Sequence, residues 1–320
     1  MHSYQLKRYP GNPILTPGMC PYPAELVFNA GVVRHQGMYY MLFRNDREHL
    51  HGTIFRYATL GMATSEDGIH FTVYKDEVFR IQDLGDEEIE RLYDVRLVEL
   101  EGKVYANMAV ETKHGLRAGI GVTDDFIHLR MISQSLPDNR NLVLFPERIG
   151  GRYMRMERPF TYYNNRNYDV WISESEDLIH WGNSRLLIRH EEIPIANAKI
   201  GPGTPPIPTK WGWLSIMHAV DFDPSRQKNG YEPLWQKRYC AYALLLDKDN
   251  PAKVLGISKD PVLSPEADYE ISGGFRNNVV FPMGLIQTDE DSVRCYYGAA
   301  DTVQAVAQGS IEQLVKTCIG

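Results

Sequence analysis

A five-bladed, all-β propeller is the fold this sequence predicts, and three observations lead to it. The 320 residues carry 19 Tyr, 26 Gly and 19 Pro, and many short apolar runs separated by turn residues read as strands. Long amphipathic helical periods are scarce. The third observation is a repeat, which says more than any single strand. Residues 37–44 run from a glycine turn into an apolar strand, and residues 61–71 follow with a second strand, an acidic turn and Phe71. The same sentence recurs at 102–108 with 121–129, and at 151–156 with 171–181. Weaker copies lie at 212–218 with 243–247 and at 293–298 with 305–307. Five copies at roughly 50 to 70 residues fit four-stranded blades, which run about 40 to 50 residues before insertions. Because each blade needs its neighbours to bury both faces, residues 1–320 are expected to form one closed domain without an internal linker.

Two short helices are expected outside the blades. One is at residues 86–92, and the other at 310–317 has Ser310 as N-cap and Gln313 at the capping-box position. His70, His128 and His180 fall at equivalent turn positions of the repeat, which marks them as turn residues and not as metal ligands.

A composition of 43% hydrophobic and 23% charged residues is globular and excludes collagen-like, disordered and coiled-coil chains. The net charge of −7 argues against a nucleic-acid partner, which would call for a basic face. No stretch approaches the roughly 20 apolar residues of a membrane span, and residues 1–10 lack the apolar core of a signal peptide. A cytoplasmic setting is the expectation. Cys20, Cys240, Cys295 and Cys318 form no C-x-x-C pair, so neither a zinc site nor a disulfide framework is indicated, and they read as small buried hydrophobes.

Familiar nucleotide motifs fail. Gly201-Pro202-Gly203 lacks a third glycine and runs into Thr204-Pro205-Pro206, where a dinucleotide site needs a helix. What stands out instead is a set of polar residues at the ends of apolar runs, where propeller strands meet the central depression. These are Tyr93-Asp94-Val95-Arg96, Asn139-Arg140-Asn141, Glu157-Arg158-Pro159, Lys199, His218 and Asp301. Taken singly, each has a plain alternative as a solvated or capping group, and Asp94 has one as the ion-pair partner of Arg96, two residues along the same strand face. Aromatic residues such as Tyr93 and Phe28 suit the apolar faces of sugars, or equally the core.

The chain resembles glycoside hydrolase family 130, the mannoside phosphorylases, over nearly its whole length. The resemblance is carried by Asn12-Pro13-Ile14-Leu15, Phe28-Asn29-Ala30-Gly31, Phe281-Pro282-Met283-Gly284 and residues 296–302. Residues 142–147, 199–206 and 273–279 look most like the subgroup acting on 4-O-β-D-mannosyl-D-glucose, although Val95 stands where that subgroup has proline. The resemblance implies a five-bladed propeller that carries out inverting phosphorolysis to α-D-mannose 1-phosphate and glucose. It implies Asp94 as general acid, acting through the 3-hydroxyl of mannose. It assigns phosphate to Arg140, Arg158, Lys199, His218 and Tyr239, and sugar contacts to Asn29, Arg44, Tyr93 and Asp301. It implies no metal or organic cofactor, inorganic phosphate as co-substrate, and a homo-oligomer.

Elementary chemistry agrees with that division of labour. An inverting hydrolase needs a second carboxylate as base, roughly 6.5–9.5 Å from its acid. Phosphate is already an anionic nucleophile, so a phosphorylase needs only to gather and orient it with Arg forks and a Lys charge. Phosphorylases acting on mannooligosaccharides or mannosyl-N-acetylglucosamine remain open as alternatives, as does a non-catalytic carbohydrate-binding propeller.

Overall fold

The computed structural model describes residues 4–52, 54–161, 168–226 and 235–320. Among them are five antiparallel sheets arranged as the blades of a propeller. Blade one comprises Leu26–His35, Met38–His51, Ile54–Ser65 and Thr72–Val73, and blade two Ile89–Leu100, Lys103–Thr112, Gly115–Thr123 and Arg130–Gln134. Blade three comprises Asn139–Leu144, Tyr153–Pro159, Val170–Ser175 and Trp181–Ile188. Blade four is built from Lys199–Pro202, Gly212–Phe222, Lys237–Leu246 and Val254–Ile257, with Ile207–Thr209 added beside its second strand. The two strands of each sequence repeat are the second and third strands of a blade.

Blade five holds Val280–Gln287, Ser292–Ala299 and Val303–Ser310, and its outermost strand is Lys7–Arg8 from the other end of the chain. Lys7 pairs with Gln308 and Arg8 with Ala307, which covers an edge that would otherwise be open. Arg8 then reaches inward to Glu270, with Nε 2.9 Å from Oε1 and Nη2 2.8 Å from Oε2. Glu270 is fully buried and also accepts from the Tyr297 hydroxyl at 2.8 Å.

Burial follows the ring. Each seam between neighbouring blades has its own apolar cluster, such as Val33, Leu42, Met62, Leu97 and Met108 between blades one and two. The seam between blades five and one is filled by Val27, Met41, Phe43, Tyr296 and Val306. Since every blade is sandwiched in this way, the five innermost strands line a common axis and offer their polar ends to it.

The helix expected at residues 86–92 is absent. Asp86 begins a turn, in which its Oδ1 accepts from the Glu88 amide at 3.0 Å, and Ile89–Leu100 is the inner strand of blade two. A register shift between Ile89 and Arg91 puts an extra residue in the strand, so the buried Ile89 and Leu92 share a face at a three-residue spacing that mimics a helix. The C-terminal helix does form, over Ile311–Ile319, with Ser310 Oγ accepting from the Gln313 amide at 3.1 Å. Asp291 Oδ1 accepts from the Glu312 amide at 2.7 Å, a second cap from the neighbouring turn.

The three repeated histidines close acidic turns. The Nδ1 atoms of His70, His128 and His180 lie 2.7, 2.6 and 2.8 Å from Asp67, Asp125 and Asp177, and each aspartate also accepts backbone amides of its own turn. Cys240 and Cys295 are buried and Cys20 and Cys318 half-buried, all as free thiols. Among the described residues, no helix is long and apolar enough to cross a membrane.

Candidate active site

The inner strands of blades one, two and three carry the same local device. Their ladders slip between Phe28 and Gly31, Tyr93 and Arg96, and Arg140 and Val143. In each slip one residue turns left-handed: Asn29 at φ 50°, Asp94 at 52° and Asn141 at 56°. Asn and Asp accept this conformation at less cost than other side chains. The bulge takes each side chain out of the strand alternation and re-aims it.

Asp94 and Asn29 are thereby brought together, and Asn29 Nδ2 donates to Asp94 Oδ1 at 3.0 Å. The approach of blade five is as close, because a Cβ on Gly298 would stand 2.1 Å from Asn29 Oδ1. Arg140 Nη2 donates to the other Asp94 oxygen at 3.1 Å, and Arg44 Nη1 lies 3.5 Å from Oδ1. Burial works to raise the Asp94 carboxyl, but Arg44, Arg140, Arg96 and the Asn29 hydrogen bond outweigh it and hold the group below the usual carboxylate range.

Arg96 is not the ion-pair partner of Asp94 that strand alternation suggests. Its Nη1 donates to the Asp94 main-chain carbonyl at 2.9 Å, and its Nε donates to the Gly203 carbonyl at 3.0 Å. The bulge is the reason, since it separates two side chains that a regular strand would place on one face. A fully buried guanidinium thus ties the bulge of blade two to the stretch following the inner strand of blade four. Burial pulls its pKa down to about 10.

Next to the acid stands a group of cations. Arg140 and Arg158 are directly opposed on neighbouring strands of blade three. Lys199 opens the inner strand of blade four, His218 lies on the second strand and Tyr239 on the third. Arg158 Nη1 donates to His218 Nε2 at 3.3 Å, and Asn141 Nδ2 approaches the same nitrogen at 3.4 Å. Accepting these bonds leaves His218 neutral, with its proton on Nδ1. Burial, reinforced by Arg158 and Lys199, holds the imidazole well below its ordinary pKa. Lys199 is depressed for the same reason, by burial first and then by Arg158 and Arg140. Arg158 is drawn down to about 9 by burial and the charge of Arg140. Its Nζ 5.3 Å from the ring centroid, Lys199 sits over Tyr239, which also stacks on Trp235 at 5.7 Å and on His218 at 6.0 Å.

Among the described residues no carboxylate lies within 4 Å of Arg158 or Lys199, and the buried Arg140 Nε, Arg158 Nε and His218 Nδ1 have no hydrogen-bond partner. Buried cations left without counter-ions are costly unless a ligand completes them. The donors left open here suit an acceptor with several oxygens.

Asp301 belongs to the same depression, at φ 47° after Ala300 at 50°. Arg276 Nη1 donates to its Oδ2 at 3.0 Å. Burial nonetheless lifts the Asp301 carboxyl, helped by the charge of Asp94 and opposed by Arg276. Arg44 is held by Asp46, with Nε donating to Oδ1 at 2.8 Å.

Two aromatic residues lie beside this group. Tyr93 is buried, with the guanidinium carbons of Arg44 and Arg140 at 4.8 and 5.6 Å from its ring centroid. Phe28 belongs to an apolar cluster with Leu26, Phe55 and Phe275. Thus Asn29, Arg44, Tyr93, Asp94, Arg140, Arg158, Lys199, His218, Tyr239 and Asp301 come together in one connected group. Sequence reasoning named Asn141 only within Asn139-Arg140-Asn141 and Arg276 only within residues 273–279, and gave neither a role. Aligning 28–31, 93–96 and 140–143 as repeat equivalents would have exposed Asn141, and nothing in the local sequence marks Arg276 as the partner of Asp301.

The fold and site together define a five-bladed propeller in which a buried carboxylate stands beside a cluster of cationic side chains. The chain belongs to glycoside hydrolase family 130, whose model, described as beta-1,4-mannooligosaccharide phosphorylase, matches residues 8–319. It is 32% identical to a beta-1,4-mannooligosaccharide phosphorylase of Ruminococcus albus, over 96% of this chain and 89% of the relative. A 4-O-beta-D-mannosyl-D-glucose phosphorylase of Bacteroides fragilis is 28% identical over 91% of this chain and 74% of its own. Among solved structures, the beta-1,2-mannobiose phosphorylase from Listeria innocua superposes with a TM-score of 0.82 at 26% identity, covering 98% of both chains. Family and relatives support mannoside phosphorylase activity.

Proposed function

We propose that this protein carries out inverting phosphorolysis of a short β-mannoside, with 4-O-β-D-mannosyl-D-glucose as its substrate. The observation that carries the reading is the convergence of Arg140, Arg158, Lys199 and His218 beside Asp94, with buried donors left open. Phosphate would lie against these residues, and one of its oxygens would attack C1 of the mannose as the bond from C1 to the glycosidic oxygen breaks. The departing oxygen takes the 3-hydroxyl proton of mannose, and Asp94 supplies the proton that replaces it. Attack opposite the leaving group inverts the β-linkage to α-D-mannose 1-phosphate. Residues around the acid, Asn29, Arg44 and Asp301, suit the mannose hydroxyls, while Tyr239 completes the phosphate side.

A hydrolase on the same propeller would need a water-activating carboxylate, and the five residues assigned to phosphate include none. Asp301 and Asp46, buried acids near Asp94, are engaged by Arg276 and Arg44. Phosphate as co-substrate makes an organic cofactor unnecessary. The choice of glucose rests on residues 142–147, 199–206 and 273–279. It is tested by running the reaction backwards from α-D-mannose 1-phosphate with glucose, mannose and N-acetylglucosamine as acceptors. Glucose is expected to be used fastest; preference for mannose or N-acetylglucosamine would move the substrate to an oligomannoside or a mannosyl-N-acetylglucosamine.

A further inference from the structure

Delivery of a proton by Asp94 conflicts with the state of the anion-free site, where that carboxyl is surrounded by cations. Arg140 resolves the conflict. Of the two arginines that pair with Asp94, Arg44 has its own neutralising carboxylate, Asp46, on two of its nitrogens. Arg140 has no other carboxylate within 4 Å among the described residues. It is also the member of the phosphate cluster that touches the acid, being opposed to Arg158 on one side and bonded to Asp94 Oδ2 on the other. Its Nε is buried without a partner, so its fork has an unused edge. In the absence of an anion, Asp94 is therefore the internal counter-ion of the phosphate site.

We propose that Arg140 is shared between Asp94 and the incoming phosphate, so that anion binding releases the acid from its counter-ion and loads it with a proton from solvent. The inference rests on the phosphorylase reading above. A bound phosphate adds negative charge beside Arg140 and draws its fork away from Asp94, and both changes favour the neutral carboxyl. The other groups facing Asp94 are Asn29 and Arg44 from blade one, Arg96 and Tyr93 from its own strand, and, from the blade-five side, Asp301, itself bonded to Arg276. The charge of Asp301 pushes in the same direction as the phosphate. Linkage is reciprocal, so a site that loads the acid when anion binds must also bind anion more tightly when the acid is neutral. The acid is armed only when the nucleophile is present, which suppresses wasteful protonation of the glycoside in its absence.

Sulfate is the probe, because it does not titrate near neutrality as phosphate does. Calorimetric titration of the intact protein with sulfate, in buffers of different ionisation enthalpy, should show proton uptake on binding. Asp94→Asn should remove the carboxyl's share of the uptake, leaving only what Lys199 and His218 contribute, and raise sulfate affinity by at least about fivefold, the lower end of ordinary site coupling. Infrared difference spectra of the wild type with and without sulfate should show a new protonated-carboxyl band, a readout that does not depend on the variant folding. Sulfate binding without proton uptake or a carboxyl band, or unchanged affinity in Asp94→Asn, would overturn the inference while leaving phosphorolysis intact. Failure of both sulfate and phosphate to bind the wild type would overturn the phosphorylase reading and this inference together.

Discussion

Arg140 and Arg158 stand opposite one another on the first two strands of blade three, two like charges paired across a ladder and facing the same depression. Opposed like charges destabilise a sheet, and neither Arg158 nor Lys199 has a carboxylate within 4 Å among the described residues to relieve them. Under the proposed phosphorolysis, the phosphate co-substrate supplies the opposing charge.

Arg158→Lys keeps the charge and loses the planar fork. Phosphate affinity, read from the apparent phosphate KM, should fall by roughly tenfold or more, because a hydrogen bond to a charged group is worth about 1.5–3 kcal/mol. An unchanged phosphate KM would place Arg158 outside the anion site.

Arg8→Met tests ring closure. Glu270 is fully buried, and its contact with Arg8 joins the first strand of the chain to blade five. Removing one partner of a buried ion pair typically costs about 3–5 kcal/mol, and chemical denaturation should register a loss of that order. A loss below about 1 kcal/mol would mean that the Tyr297 hydroxyl and the Glu266 and Ala267 amides satisfy Glu270 without Arg8.

Acid should act on the repeated turns. Asp67, Asp125 and Asp177 are all held below the ordinary carboxylate range, Asp67 and Asp177 chiefly by their histidines, while for Asp125, at about 2, hydrogen bonds to His128 outweigh the effect of burial. A carboxyl depressed in the folded state contributes stability that is complete above its unfolded pKa of about 3.9 and is lost as the pH falls through the folded value. The urea midpoint of the wild type should therefore drop between about pH 4 and pH 2, and Asp125→Asn should show a smaller drop. Equal drops in the two proteins would exclude the turn as a source of acid sensitivity.

Asp94→Asn removes the proton and nearly preserves the shape. Its kcat on mannosyl-glucose should fall by about 10² to 10⁴, the usual worth of general acid catalysis. An aryl β-mannoside with a good leaving group needs less protonation and should be partly rescued. Near-normal turnover by the variant would move the acid elsewhere.

Much of this was legible in the sequence because blades repeat. Glycine turns, apolar pairs of strands and Asp-x-x-His turns recur, and each recurrence strengthens the others. The failures came where regularity breaks. Ile89 and Leu92 imitated a helix because a bulge changes which residues share a face, and the plain alternative that pairs Asp94 with Arg96 rests on an alternation that another bulge removes. Contacts between separate stretches, such as Arg96 to Gly203 and Arg276 to Asp301, leave no local signature in the sequence.

The most direct measurement is ³¹P and proton NMR of the products from 4-O-β-D-mannosyl-D-glucose, with and without inorganic phosphate. The account predicts no turnover without phosphate, and with phosphate one α-D-mannose 1-phosphate for each glucose released. Release of free mannose at the same rate in phosphate-free buffer would contradict it.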